Sequence, residues 1–352
     1  ARGAASRLER ADAAVRSTNV DAVTAKLLAV RAGYYDDDAV EAFCGDADAH
    51  HSPLILRGYY ARVQAVRRIT ERFLRYGVDR MAADRQVVDL GAGSDTLFFH
   101  LRKHGFMASP CCRFFEVDFP EVTRGKVRAL LANKHLLDQL QDVNSDVTEG
   151  RLTSRSYAVL PADLRHVSQL EAALSSAGFR KDVPTLFLSE CVLIYMSAEE
   201  SGAVLDWIAV QCPVSLVASY EQIGPDDPFG RVMVNSLEKR GCALRGLRAF
   251  PDKQSQVRRF KERGWQRVEC LNMNEVYNRY LTAADRSRAD RLQMLDEWEE
   301  WQLVQSHYCI TWAFREPEPS PSSPWATFRF LDPDGGLFDR VPVKAAEWSK
   351  EV

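Results

Sequence analysis

No run in this chain is apolar for long enough to cross a bilayer. The longest, "LFLSECVLIYM" (Leu186–Met196), is about half the length that a membrane helix needs. The start, "ARGAASRLER", is small and basic, but no apolar h-region follows it. That excludes a secretory signal and leaves a disordered terminus or part of a transit peptide. The eight cysteines include no CxxC pair and no zinc spacing. They read as reduced thiols of a cytoplasmic protein, with Cys191 and Cys309 as core residues. A formal net charge of −3 gives no global reason to bind nucleic acid or an anionic membrane. No internal repeat is visible, which excludes solenoids and propellers within this sequence. No His or Cys constellation has the look of a catalytic triad, and His307 reads as structural.

What is present is an ordinary globular balance, 46% hydrophobic and 27% charged over 352 residues. Two helical segments come first. "NVDAVTAKLLAVRAGYY" is framed by Asn19 and Gly33. "GYYARVQAVRRITERFLRYG" carries Tyr59, Val63, Val66, Ile69 and Phe73 at helical spacing. From Gln86 the pattern alternates. Strands are expected at Gln86–Leu90, Arg113–Phe119, Tyr157–Ala162, Thr185–Glu190 and Ser215–Glu221, with helices between most of them. That alternation predicts an α/β fold with a parallel sheet covered on both faces. After Glu221 two helices, Phe229–Arg240 and Gln254–Arg263, read as an insertion over the sheet. A strand near "QRVECLNM", a helix around Leu295–Gln305 and a last strand "HYCITWAF" follow. "REPEPSPSSP" reads as a flexible linker, and "WATFRFLDPDGGLF" as a short hairpin or a mobile tail. The expected division is a helical segment over 1–80, a core over 81–315 with its insertion at about 223–263, and a tail over 316–352.

The stretch "QVVDLGAGSDTLFFHLRK" runs from a strand through Gly91 and Gly93 into a helix. The dinucleotide fingerprint wants a third glycine where this chain has Thr96, which weakens a flavin or nicotinamide reading. The plainer alternative is a tight turn with no ligand. Other strand ends narrow the choice. "FFEVDF" puts Glu116 and Asp118 where a carboxylate accepts from ribose hydroxyls, and where it would repel a ribose phosphate. "PADLR" offers Asp163 to an adenine amine and the Leu164 N–H to a ring nitrogen. "LSECVLIY" places Glu190 under the crevice, where an acid suits a cationic ligand. S-adenosyl-L-methionine, with adenosine, ammonium, carboxylate and sulfonium but no phosphate, fits all four. Gly91 is expected to be glycine because the ligand approaches its backbone.

The stretches "RGYYAR", "LGAGSDT", "FEVDFP", "PADLR", "SECVLIYM", "YEQIGPDDPFG" and "DEWEEW…HYCITWA" together resemble the leucine carboxyl methyltransferase family. They span roughly Asp21 to Phe314. The resemblance implies a seven-stranded class I methyltransferase (Rossmann-like) sheet with a helical cap. It also implies methylation of the C-terminal leucine carboxylate of type 2A protein phosphatase catalytic subunits. Cofactor contacts would fall on Lys26, Arg62, Gly91, Asp118, Asp163, Leu164 and Glu190. The related wybutosine-synthesis branch, acting on tRNA, carries a β-propeller that has no counterpart in this sequence. A small-molecule carboxyl methyltransferase and a non-catalytic binding protein are further alternatives.

Two cations can also be read from periodicity. Arg62 falls inside the apolar face of its helix, so it needs an anion. That anion is either a structural acid or a carboxylate of cofactor or substrate. Lys26 flanks its apolar stripe and reads as a snorkelling surface lysine; only the resemblance makes it a site residue. Tyr195 reads either as a core tyrosine or as a donor that, with Arg62, positions a substrate carboxylate. A C-terminal carboxyl has a pKa of about 3.3–3.7 and is already an anion at neutral pH. Such an acceptor needs positioning rather than a general base.

Overall fold

The computed structural model describes residues 2–45, 50–76, 84–107 and 111–319, with Ser323, Trp325 and Phe328 beyond them; for residues 2–8 only the backbone is described. The strands are β1 (Arg85–Leu90), β2 (Cys112–Asp118), β3 (Asn144–Asp146), β4 (Arg151–Thr153), β5 (Tyr157–Pro161), β6 (Thr185–Glu190), β7 (Ser215–Gln222), β8 (Arg267–Asn272) and β9 (Tyr308–Arg315). They form one sheet in the order β3-β4-β5-β2-β1-β6-β7-β9-β8. β5, β2, β1, β6 and β7 run parallel, and β9 is inserted antiparallel between β7 and β8. Seven of the nine strands make the sheet of the class I methyltransferase fold. The extra pair is the β3–β4 hairpin, which extends the edge beside β5. Its strands, "NSD" and "RLT", have no apolar alternation, and β3 is exposed throughout. That explains why no periodicity announced them.

All six residues of β1 and all eight of β7 are buried, as expected of strands covered on both faces. On one face Val87, Phe114, Tyr157, Leu186 and Leu216 pack with Phe73 and Phe98. On the other, Val88, Phe115, Leu160, Phe187 and Val217 pack with Leu170, Leu205 and Phe260. The helices are α1 (Arg2–Arg31), α2 (Pro53–Arg75), α3 (Leu97–Lys103), α4 (Pro120–Ala132), α5 (Lys134–Leu137), α6 (Val167–Ser176), α7 (Ala198–Gln211), α8 (Pro228–Lys239), α9 (Lys253–Lys261), α10 (Met273–Tyr280), α11 (Ala283–Leu292) and α12 (Trp298–Ser306). Sequence order reverses between β1 and β6, opening a crevice outside the carboxyl ends of the strands.

Three helical expectations need correction. The start of the chain is not a disordered terminus: α1 begins at Arg2 and runs for 30 residues, built from Ala, Arg, Leu and Glu, all good helix formers. Asn19 therefore sits mid-helix instead of at a cap. Of the two helices assigned to an insertion, only α8 lies away from the sheet. Its Met233, Val234 and Leu237 pack on Ile194, Leu244 and Leu247. α9 instead packs on the sheet, with Phe260 fully buried in the core and contacts to β8 and β9. α10 and α11 were not anticipated, although each starts with a capping box, Asn272 with Glu275 and Thr282 with Asp285.

The expected hairpin over 325–338 lies outside the described residues except for Trp325 and Phe328. Those two are buried: Trp325 stacks on Phe73 and Tyr76, and Phe328 meets Tyr76 edge-on. Among the described residues no helix is long and apolar enough to cross a membrane.

Candidate active site

A cavity of about 850 Å³ opens where the carboxyl ends of β1, β2, β5 and β6 meet α1, α2 and the turn after β6. Lys26, Arg62, Gly91 and Asp118 line it, and so do Asp163, Leu164, Glu190 and Tyr195. The structure thus brings all eight sequence-derived site residues to one place.

The glycine loop leaves β1 at Leu90 with Gly91 at φ +70° and Gly93 at φ +54°. A Cβ on Gly91 would lie 2.4 Å from Val192 Cγ2, and one on Gly93 would lie 2.5 Å from Asn19 Oδ1. These glycines are required by backbone conformation and by protein packing. The expectation that a ligand alone forbids a side chain at Gly91 is corrected by Val192. Asn19 grips the same loop from α1: its Oδ1 accepts from Ser94 N (2.8 Å) and its Nδ2 donates to Ser94 Oγ (2.9 Å).

Asp118 ends β2 and accepts from Gly93 N (2.7 Å) and Phe119 N (2.6 Å). Burial pushes its carboxyl up to about 6 despite these two donors. Glu116, two residues earlier, does not reach the cavity. It is paired with Lys126 and accepts from the Tyr157 hydroxyl at 2.8 Å, so the ribose role expected of this strand end rests on Asp118 alone.

Lys26 is not a surface lysine. It is 9% exposed, and its Nζ sits 2.7 Å from Asp95 Oδ2. Burial works against the Lys26 charge, but Asp95 and Glu190 outweigh it and hold the ammonium above its ordinary range. Burial would likewise raise Asp95, yet Lys26 and Lys126 keep it at about 2. Arg62 donates from Nε to Glu190 Oε2 at 2.5 Å, and its guanidinium lies 4.7 Å from the centroid of Tyr220. Its anion is therefore a protein carboxylate, and both members of the pair face the cavity.

Asp163 is clasped by Arg165, which donates from Nε (2.9 Å) and Nη2 (2.7 Å). The other edge of the same guanidinium meets Asp12 of α1 twice, at 2.8 Å each. Burial opposes the Asp163 charge, but Arg165 holds the carboxyl below its usual range. Arg165 and Asp12 escaped the sequence reading because their partners are separated by 153 residues. Asp89, also in the cavity wall, had a visible signal: an acid inside the apolar run "VVDLG". Burial, with Asp95 and Glu190 nearby, pushes its carboxyl well up.

Beyond Glu190 the chain turns sharply. Cys191 takes φ +57°, and Leu193 N and Ile194 N donate to Glu221 at 3.2 and 3.1 Å. This turn carries Tyr195 into the cavity, where Tyr59, Tyr220 and Tyr308 join it. Burial raises all four phenols above their ordinary range and pushes the Cys191 thiol up to about 12. His307, as expected, is structural: Nε2 lies 2.9 Å from the α8 N-cap, Asp227, and Nδ1 lies 2.8 Å from Leu303 O.

Known proteins share this arrangement. The family model for leucine carboxyl methyltransferase matches residues 4–209. A leucine carboxyl methyltransferase 1 homolog of Arabidopsis thaliana is 37% identical over 305 residues, 86% of this chain and 90% of the relative. The Rattus norvegicus leucine carboxyl methyltransferase 1 is 34% identical, again over 86% and 90%. The Rattus norvegicus tRNA wybutosine-synthesizing protein 4 is 36% identical over 87% of this chain but only 45% of its own length. Among solved structures, a candidate methyltransferase from Thermobifida fusca shares the fold at a TM-score of 0.50 and 14% identity, covering 80% of this chain and 90% of that one. With this sheet, this cavity and these relatives, the chain belongs to the leucine carboxyl methyltransferase family.

Proposed function

We propose that the protein methylates the α-carboxylate of a C-terminal leucine, with S-adenosyl-L-methionine as methyl donor and the catalytic subunit of a type 2A protein phosphatase as acceptor. The observation that carries this reading is the chemistry at the Arg62 end of the cavity. Four phenols and one thiol face it, and burial keeps all five protonated at neutral pH. Glu190 is engaged by Arg62. Apart from the exposed His51 at the cavity wall, the groups here are hydrogen-bond donors and not bases. That suits an acceptor that arrives as an anion and has no proton to lose.

The residues fit the methyl donor. Asp118 offers carboxylate oxygens to ribose hydroxyls, while Asp163 and the Leu164 N–H suit adenine. Lys26 and Arg62 suit an α-carboxylate, and Glu190 suits an ammonium. When bound, S-adenosyl-L-methionine supplies an electrophilic methyl on a sulfonium. Arg62 and Tyr195 orient the acceptor; they are positioning groups and take no proton. The acceptor oxygen brings the electron pair of the new C–O bond. Positioning of this kind is worth about 7–11 kcal/mol of a barrier.

The test is parallel label transfer from radioactive methyl donor to intact phosphatase catalytic subunit, its form lacking the terminal leucine, unmodified tRNA precursor and small carboxylic acids. Label on intact phosphatase alone is expected. Equal label on the shortened form would overturn the leucine assignment, and label on tRNA alone would transfer the reading to the wybutosine branch.

A further inference from the structure

Gln222 is the last residue of β7 and has no role in the account above. It lies opposite Tyr308 on β9 and two residues after Tyr220, so both Tyr220 and Gln222 point to the α2 side of the sheet. It is 4% exposed, yet it lines the cavity beside Arg62, Cys191, Tyr220 and Tyr308. Its amide hydrogen-bonds to the Tyr308 phenol and the Cys191 thiol and favours their ionised forms, which is what a donating N–H does. Its carbonyl oxygen is different. Oε1 is buried and has no hydrogen-bond donor among the described residues. A buried acceptor with no partner is rare and asks for a ligand that brings one. Every other group at this end donates, so the ligand is an anion with an N–H beside it.

We propose that Gln222 Oε1 accepts the amide N–H adjacent to the acceptor carboxylate, so that the site selects peptide C-termini over plain carboxylic acids. This rests on the carboxylate reading above and adds the substrate class. The methyl donor also carries an N–H one carbon from a carboxylate. Its proposed contacts, however, come from α1, α2, β1, β2, β5 and β6, and Gln222 stands one strand further out. A site built around a hydrogen-bonding partner discriminates strongly against an analogue that lacks it, because its own buried group is left unpaired.

The experiment uses semisynthetic phosphatase catalytic subunit ending either in leucine or in the matching 2-hydroxy acid, which replaces the last amide N–H with an ester oxygen. Wild type should methylate the ester-linked form at least about tenfold more slowly. Gln222→Met, which keeps the volume but loses the acceptor, should treat the two forms alike within about twofold. Gln222→Glu, which keeps an acceptor, should retain the preference at reduced turnover. The affinity of S-adenosylhomocysteine, measured by calorimetry, should change less than about twofold in Gln222→Met, which also reports folding. Equal rates for the two acceptors with wild type overturn the inference and leave the carboxylate reading standing, and so does a preference undiminished in Gln222→Met. A tenfold loss of S-adenosylhomocysteine affinity moves the contact to the methyl donor and overturns it as well. If wild type labels neither acceptor, the leucine-carboxylate reading fails and this inference falls with it.

Discussion

The two ends of the cavity are built on opposite electrostatic principles. At the β2–β5 end, ionised groups are held by other ionised groups: Asp12, Arg165 and Asp163 form a chain from α1 to the loop after β5, and Lys26 pairs with Asp95. At the β6–β7 end, burial keeps Tyr195, Tyr220, Tyr308 and Cys191 neutral. Arg62 with Glu190 stands between the two. The difference teaches how one cavity serves two ligands. The end proposed for the adenosine is fixed before the ligand arrives, with acceptors already aligned. The end proposed for the acceptor offers weak, neutral donors that orient an anion without lowering its nucleophilicity.

The first way to break this comparison is at the loop that both ends share. Gly91→Val forces a β-branched residue to φ +70° and into Val192. It should cost about 4 kcal/mol, from left-handed strain plus overpacking, read by chemical denaturation. Adding Val192→Ala should recover about 1–2 kcal/mol; no recovery would mean that Val192 is not what excludes a side chain. Next comes Lys26→Met, which leaves Asp95 buried without its closest cation. A loss of about 3 kcal/mol is expected at neutral pH. The Asp95 carboxyl is held at about 2, so the wild-type advantage should be intact above about pH 4 and fade between 4 and 2.

A third prediction separates the two ends by pH. Asp118 has its carboxyl raised to about 6; its ionised form is present above that pH and lost as pH falls through it. S-adenosylhomocysteine affinity should therefore weaken by up to about tenfold per pH unit below 6. An Asp118→Asn enzyme should be flat over the same range. The sign for stability is the reverse, because the folded state holds the proton more tightly and gains on the unfolded chain between about 6 and 4. A pH-independent wild-type affinity would remove Asp118 from the ligand. Fourth, Asp163→Ala should cost about 0.5–1.5 kcal/mol of S-adenosylhomocysteine affinity by calorimetry. The smallest effect belongs to Asp12→Asn. It weakens one partly exposed side of the Arg165 clasp and should cost about 0.5 kcal/mol of stability, less in high salt.

The same contrast explains what could be read from the sequence. Strand-end residues were legible because a strand names its own end: Thr185–Glu190 was expected with both boundaries correct, and Asp118, Asp163 and Glu190 follow from the alternation. Residues supplied by helices were legible only in part. Arg62 betrayed itself as a cation on an apolar face. Lys26 and Asn19 did not, because what makes them site residues is the docking of α1 on the glycine loop, a contact spanning about 70 positions. The β3–β4 hairpin and α10 and α11 were missed for different reasons. The hairpin has no periodicity, while the two helices had capping boxes that were not used.

The most direct test of the account is the position of the methyl group. Intact phosphatase catalytic subunit, methylated by this protein, should yield by mass spectrometry a C-terminal peptide carrying one methyl on the leucine carboxyl, removed by mild alkali as an ester. A methyl on any other residue of the phosphatase, or one that survives alkali, would contradict it.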